Sequence, residues 1–128
     1  MKVADLIKIY DCKTYHLSAI EDKDIKYAFC TDLMSDALFI MNTVEDQRVL
    51  EHTILITGLA TQQSIRTAEM LDVDIILLVR GKMPSEKVIQ LAIESNITLL
   101  STDYTMFNIS GLMYEKGIKG VTYNLSWD

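Results

Sequence analysis

The sequence has few of the residues that mark disordered, disulfide-linked or membrane-embedded chains. It contains five glycines and one proline, and 49% of its residues are hydrophobic, which excludes a low-complexity or disordered chain. No apolar run approaches the roughly 20 residues of a membrane span, and the first residues lack the apolar core of a signal peptide. We therefore expect residues 1–128 to form a single cytoplasmic domain, because this length fits one domain with one core.

Cysteine and histidine are also scarce. Cys12 and Cys30 form no C-x-x-C motif, so we expect two reduced, buried thiols. His16 and His52 complete no zinc-binding pattern, and we expect both to be partly exposed strand residues. The sequence therefore predicts neither a metal site nor a cofactor.

Positive charge is limited and dispersed. The formal net charge is −6, and the twelve lysines and arginines form no run. Nucleic acids and anionic membranes are bound by clustered lysine and arginine, so we expect neither as a partner.

Common catalytic motifs are missing as well. The sequence has no G-x-x-x-x-G-K-[ST] phosphate-binding loop, no G-x-G-x-x-G dinucleotide motif after a strand, and no G-x-S-x-G nucleophile elbow. These absences exclude three large enzyme classes, and we predict a protein that is not an enzyme.

The chain is organised around an apolar run, Ile75 to Val79, which lies between Asp74 and Arg80-Gly81. Because the apolar residues do not alternate with polar ones, the run predicts a central strand buried on both faces of a parallel sheet. The further strands are predicted at 13–17, 25–31, 52–57, 97–100 and 119–123, and the helices at 2–9, 37–41, 61–71, 84–95 and 101–113. Residues 44–51 are predicted as a loop or an edge segment.

Three helices are predicted to end in the same way. Asp72-Val73, Asn96-Ile97 and Gly117-Ile118 each join a residue that tolerates left-handed geometry to an apolar residue, which is typical of a Schellman C-cap. A strand begins at or just after each pair. The repeated helix, tight turn and strand predict an α/β fold with a three-layer-like, open, mostly parallel sheet built from βα repeats.

Polar clusters follow several of the predicted strands, and parallel strands would bring them to one edge of the sheet. Thr61 and Thr102 are predicted at helix N-termini, which attract anions, and Arg80 could bind a carboxylate or phosphate through two hydrogen bonds. We predict a small anionic ligand there; the alternative is a set of ordinary caps and turns. The candidate ligand-binding residues are Thr57, Gly58, Thr61, Arg80, Gly81, Ser101 and Thr102.

Two aspartates suggest an alternative chemistry. Asp32 and Asp36 are four residues apart and would share one face of a helix, where they could hold Mg²⁺ or act as acid and base. Together with Arg80 they define the alternative of a small phosphate-handling enzyme. Acidic residues that complement the dipole of a helix N-terminus would give the same pattern.

Apolar residues outside the predicted elements suggest contacts with partners. Seven methionines indicate either an adaptable core or an apolar surface for a partner. Leu125 and Trp127 are predicted to pack on the body of the domain or across a dimer interface.

Four segments carry a resemblance to a known family. They are the opening helix at 2–9, the Thr-Asp-Leu-Met-Ser-Asp block at 31–36, the strand that ends in Val79-Arg80-Gly81, and the strand and helix start at 97–107. In these segments the chain resembles the DRTGG-domain family, which is similar to the N-terminal domain of HPr kinase/phosphorylase. The sequence departs from the family motif at residues 22–28, where Lys26-Tyr27-Ala28 stands in place of Thr-Gly-Gly.

The resemblance implies a compact α/β domain that is commonly homodimeric, regulatory rather than catalytic, and free of cofactors. The resulting expectation is a regulatory or protein-interaction domain that senses a small anionic ligand such as a nucleotide. The alternative is a structural accessory subunit of a redox or hydrogenase system. A protein partner in a redox or signalling complex is expected on the same basis.

Overall fold

The computed structural model describes residues 1–122, which contain five α-helices, one 3₁₀ helix and six strands. In chain order they are α1 Val3–Ile9, β1 Lys13–His16, β2 Tyr27–Cys30, α2 Met34–Asn42, the 3₁₀ helix Gln47–His52, β3 Thr53–Thr57, α3 Gln62–Met70, β4 Ile75–Leu78, α4 Glu86–Glu94, β5 Thr98–Ser101, α5 Met106–Glu115 and β6 Lys119–Gly120. None of these helices is long and apolar enough to cross a membrane.

The six strands form one sheet in the order β1-β5-β4-β3-β2-β6. Only β1 runs antiparallel to its neighbour; the other pairs are parallel. Strand β4 lies between β3 and β5, and all four of its residues are buried. The predicted mostly parallel α/β sheet and its central strand are thus confirmed.

Helices cover both faces of the sheet and give three layers. Helices α2, α3 and α4 pack on the face that carries Leu55, Ile76 and Leu78. Helices α1 and α5 pack on the opposite face, which carries Ile54, Ile56, Ile75 and Leu77 in the adjacent, alternating positions. Because neighbouring strand residues point to opposite faces, these apolar runs supply two cores at once.

The predicted helix ends are confirmed by backbone geometry. Asp72, Asn96 and Gly117 have φ angles of 57°, 53° and 95°. After α3, the Val73 amide donates to the Ala68 carbonyl at 2.9 Å, which is the bond that defines a Schellman motif. Asp11, with φ 49°, ends α1 in the same way, which the sequence pattern did not reveal.

Three predicted boundaries are wrong. Residues 47–52 form a 3₁₀ helix rather than a loop or edge segment, and the Asp46 side chain caps it by accepting from the Arg48 amide at 3.1 Å. Helix α5 begins at Met106 after Thr105, not at 101–103, because Ser101 is still paired with Leu78 in the sheet. Strand β6 ends at Gly120. Tyr123, Leu125 and Trp127 lie outside the described residues.

Candidate functional site

The sheet brings most of the predicted ligand-binding residues to one edge, which we call the carboxyl rim (residues 31–32, 57–61, 80–82 and 101–104). The Val79 amide donates to the Thr57 carbonyl at 3.1 Å, and the Thr102 amide donates to the Leu78 carbonyl at 2.9 Å. Thr57-Gly58, Arg80-Gly81 and Ser101-Thr102 are therefore neighbours at the carboxyl ends of β3, β4 and β5. Parallel α/β sheets bind ligands at this edge.

The backbone of Arg80 is unusual among the described residues. Its φ is 61°, and Gly81 follows with φ 63°. The other non-glycine residues with positive φ are Asp11, Asp72 and Asn96, which end helices and belong to types that tolerate this region. A left-handed arginine at a strand end costs about 1–2 kcal/mol relative to an ordinary conformation.

Hydrogen bonds to the next loop hold this strained pair. The Arg80 amide donates to the Tyr104 carbonyl at 2.8 Å, and the Gly81 amide donates to the Thr102 carbonyl at 2.9 Å. A Cβ added to Gly81 would lie 3.0 Å from Asp103 Oδ1, so the exposed Asp103 side chain would have to shift slightly, and the positive φ is the main reason for glycine here. The loop after β5 therefore fixes the position of the Arg80 backbone, from which the side chain extends.

The Arg80 guanidinium lies directly over Gly58. A Cβ at Gly58 would be 2.7 Å from Arg80 Nη2 and 3.1 Å from Asp32 Oδ1, so any larger residue would displace the guanidinium from this position. Arg80 is exposed, and its side chain forms neither a hydrogen bond nor an ion pair with residues 1–122. Its donors are thus available to a ligand.

The Asp32 side chain is hydrogen-bonded within the rim, and Asp32 is not part of a helix. Its Oδ1 accepts from the Gly58 amide at 2.6 Å and from Thr57 Oγ1 at 3.4 Å. Helix α2 begins at Met34, so Asp32 precedes the helix while Asp36 lies in its first turn. The prediction that the two aspartates share a helix face is therefore wrong, because the chain enters α2 two residues later than that prediction requires.

The hydroxyl groups of the rim are mostly used by the fold. Ser101 Oγ donates to the Tyr15 hydroxyl at 3.3 Å, and Thr102 Oγ1 donates to the Tyr10 carbonyl at 3.1 Å. Thr102 is not at a helix N-terminus as predicted, because α5 begins four residues later. Thr61 does occupy the N-cap of α3, but its side chain makes no capping bond, and Oγ1 is buried without a partner among the described residues.

Residues 22–24, the start of the segment that we compared with the DRTGG motif, lie at the opposite edge of the sheet, which we call the amino edge (Met1, residues 22–24 and Asp74). Lys23 Nζ donates to Asp74 Oδ2 at 2.7 Å, and the Lys23 carbonyl accepts from the Val3 amide at 3.0 Å. The Met1 ammonium donates to the Asp24 carboxylate, and this hydrogen bond lowers the pKa of Asp24. These contacts fasten the start of α1 to the sheet.

A second concave surface, which the sequence analysis missed, runs along α5 and is called the α5 groove here. It has a volume of about 340 Å³ and is lined by Tyr104, Phe107, Asn108, Gly111, Leu112 and Glu115. Phe107 is 86% exposed, and a Cβ at Gly111 would meet no atom within 4 Å. The sequence feature that could have predicted this groove is Gly111, a glycine in the middle of a helix near the aromatic residue Phe107.

The two cysteines lie away from the rim chemistry. Both are unpaired and half-buried. Burial, with a smaller contribution from Asp11, raises the pKa of Cys12 to about 12, and burial also raises the pKa of Cys30. Cys30 Sγ lies 3.2 Å from Ser110 Oγ. Both thiols therefore stay protonated near neutral pH and are poor nucleophiles.

Among residues 1–122, no three histidine, cysteine, aspartate or glutamate side chains are grouped so that they could hold a metal ion. The rim thus presents two exposed cations, Arg80 and Lys82, beside the carboxylates of Asp32 and Asp103, and its Gly58, Arg80 and Gly81 amides are already bonded within the fold. Exposed cations of this kind suit the recognition of an anion.

Comparison with known proteins finds a solved structure with a similar fold. No family model matches the sequence, and no curated protein matches it. The chain is similar in structure to the CBS and DRTGG domains of the regulatory region of Clostridium perfringens pyrophosphatase, solved with the activator diadenosine tetraphosphate, at a TM-score of 0.61 and 17% identity. The match covers 88% of this chain but only 45% of that one. The α/β fold described above is therefore similar to that of a regulatory region with CBS and DRTGG domains.

Proposed function

We propose that this protein is a non-catalytic regulatory domain of the DRTGG type that binds a small anionic ligand, such as a nucleotide, at the carboxyl rim. One observation carries the proposal: a left-handed backbone holds Arg80 so that its unpaired guanidinium lies over Gly58. Strained non-glycine residues that persist in a fold are concentrated at functional sites.

The charges of the rim favour an anion with more than one acceptor oxygen. A guanidinium binds carboxylate or phosphate through two parallel hydrogen bonds. Lys82 is exposed two residues further along and adds a second positive charge to the rim. The Asp32 carboxylate already accepts from the Gly58 amide, so an incoming anion would contact the guanidinium from the solvent side.

The structural neighbour supports a regulatory role and a nucleotide. That protein is the regulatory region of a pyrophosphatase, and its activator is a dinucleotide polyphosphate. The present chain spans less than half of it, so the ligand and the output of this domain are inferred from the rim itself.

Exposed apolar side chains support a protein partner in addition to a ligand. Met70 and Met83 are 70% and 75% exposed, whereas Met34, Met41 and Met113 are buried. Methionines therefore occur both in the core and on the surface. Met70 ends α3 and Met83 follows β4, and a homodimer or a second protein could cover either side chain. Light scattering at low micromolar concentration tests the homodimer, which a monomer mass would contradict.

A thermal-shift titration with magnesium tripolyphosphate tests the proposed ligand site. At one hundred times its Kd, a bound ligand adds about 2.7 kcal/mol to the free energy of unfolding. We expect a shift for the wild type and for Lys116→Ala, which removes an exposed cation at the far end of α5, but none for Arg80→Ala. Equal shifts in both variants, or no shift in the wild type, would contradict the proposal.

A further inference from the structure

The α5 groove and the carboxyl rim share one residue, Tyr104. Tyr104 forms one end of the groove, and its carbonyl accepts from the Arg80 amide at 2.8 Å. The loop that positions Arg80 therefore also forms a wall of the groove. A ligand bound to the Arg80 side chain would have this concave surface on the neighbouring side of the rim.

The groove has the composition of a small-molecule site. Its volume of about 340 Å³ lies within the range of such sites, and its walls are mainly aromatic and apolar. Asn108 and Glu115 add a donor and acceptors at its edge. Phe107 is 86% exposed, which leaves a flat apolar ring free to stack on a planar group.

A buried tyrosine packs against Tyr104, which lines the groove. Tyr10 is 3% exposed, and its hydroxyl has no hydrogen-bond partner among the described residues. Its ring packs edge-on against Tyr104, with 6.4 Å between the ring centroids. Burial, and then nearby Cys12, Tyr104 and Glu115, raise the pKa of Tyr10, so the hydroxyl stays protonated. The contact with the buried Tyr10 ring holds Tyr104, which lines the groove, in place.

We propose that the α5 groove holds the aromatic base of a nucleotide whose phosphates contact Arg80. The inference rests on the proposed function and assigns the class of ligand to that same site. The base would stack on Phe107, because base–aromatic stacking accepts any planar base. Asn108 offers both a donor and an acceptor to the edge of a base, and Glu115 accepts from an amine or a ribose hydroxyl.

A comparison of ATP with tripolyphosphate, at equal magnesium concentration, tests the inference by calorimetry. The two probes share their phosphate chain and differ in the nucleoside. We expect the wild type to bind ATP about tenfold more tightly, since stacking of one base contributes roughly 1–3 kcal/mol. Phe107→Ala should remove that advantage and leave tripolyphosphate binding unchanged. The matched control is Tyr114→Ala, which removes a 71% exposed aromatic residue of α5 outside the groove.

Gly111 provides a second variant that does not depend on stacking. A Cβ at this position meets no atom within 4 Å, and alanine or leucine favours the helix more than glycine does. Gly111→Leu would fill the groove in a folded protein, and it should abolish the preference for ATP. Gly111→Ala, which adds one methyl group, should retain most of that preference.

The outcomes separate this inference from the proposed function. Equal affinity for ATP and tripolyphosphate in the wild type, or a preference that survives both Phe107→Ala and Gly111→Leu, would overturn the groove assignment while Arg80-dependent binding still supported the rim. Binding of neither probe would overturn the proposed function and this inference together. ATP binding that depends on Phe107 but not on Arg80 would overturn the proposed function and the contact between Arg80 and the phosphates, and would support only the stacking of the base in the groove.

Discussion

The two edges of the sheet use their charged groups in opposite ways. At the amino edge, Lys23 pairs with Asp74 and the Met1 ammonium pairs with Asp24. At the carboxyl rim, the Arg80 guanidinium has no partner among residues 1–122. The backbone differs too, because the left-handed residues near the amino ends of the strands are Asp72 and Asn96, whereas the rim has an arginine in that region.

This difference supports the proposal that the amino edge stabilises the fold and the rim binds a ligand. It also bears on residues 26–28, where this chain has Lys-Tyr-Ala and the DRTGG motif that it resembles has Thr-Gly-Gly. Tyr27 and Ala28, which stand in place of the glycines, belong to β2 and pair with Thr53 and Ile54 of β3. Glycine weakens the interior of a strand, so Tyr27 and Ala28 suit this position without affecting the rim.

The largest effect is expected from Arg80. Substitution to glycine should weaken anion binding about 100-fold, since a charge-assisted contact contributes about 1.5–3 kcal/mol. The same variant should unfold at a higher free energy than Arg80→Ala, by about 1 kcal/mol, because only glycine relieves the left-handed backbone. Urea unfolding and calorimetry measure both quantities. A glycine variant less stable than the alanine variant would show that the backbone at Arg80 is not strained.

A substitution at Lys23 tests whether the amino edge stabilises the fold. Lys23→Met should lower the free energy of unfolding by about 1–2 kcal/mol, because it leaves the partly buried Asp74 carboxylate without its partner. Ligand affinity should stay unchanged. A double-mutant cycle with Asp74→Asn isolates the pair in urea unfolding. Weaker ligand binding in Lys23→Met, with unchanged stability, would reverse the roles assigned to the two edges.

Gly58 tests whether the position of the guanidinium matters. In Gly58→Ala, the new Cβ would come within 2.7 Å of Arg80 Nη2, so the end of that flexible side chain must move. We expect about a tenfold loss of anion affinity with a stability change under about 1 kcal/mol. The control is Gly120→Ala, where nothing lies within 4 Å of the added methyl group. Unchanged affinity in Gly58→Ala would mean that the ligand does not need Arg80 where the structure places it.

The smallest effect is expected from acid titration at the amino edge. The hydrogen bond from the Met1 ammonium, opposed weakly by desolvation, lowers the pKa of Asp24 below its value in the unfolded chain. The carboxylate therefore contributes stability above about pH 4, and this contribution is lost as the pH falls through the lowered pKa. Asp24→Asn should flatten the acid limb of a plot of unfolding free energy against pH. An unchanged slope would show that this contact does not persist in solution.

Local sequence patterns predicted the fold well because each helix and strand is specified by residues that are close together in the sequence. The apolar run at 75–79 predicted a central strand, and Asp72, Asn96 and Gly117 predicted three helix ends. Strand order and parallel direction then follow from the alternation of strands and helices, which is why Thr57, Arg80 and Ser101 were expected at one edge.

The details of the site depend on contacts between distant segments, which a local pattern does not contain. Arg80 takes its left-handed geometry from bonds to the loop at 102–104, which is 22 or more residues away in sequence. Asp32 was expected on a helix, but its carboxylate accepts a hydrogen bond from the amide of Gly58, 26 residues later in the chain. The α5 groove depends on how Tyr104 and Tyr10 meet in space.

The central claim is that the carboxyl rim binds an anion and the amino edge does not, and the five glycines test it in one measurement. Gly58 and Gly81 lie at the rim, Gly111 lies in the α5 groove, and Gly117 and Gly120 lie beyond the far end of α5. In a ¹⁵N-labelled sample titrated with magnesium tripolyphosphate, we predict shifts for the amides of Gly58 and Gly81 and none for Gly117 and Gly120. Shifts at Gly117 and Gly120 with Gly58 and Gly81 unmoved would contradict the account.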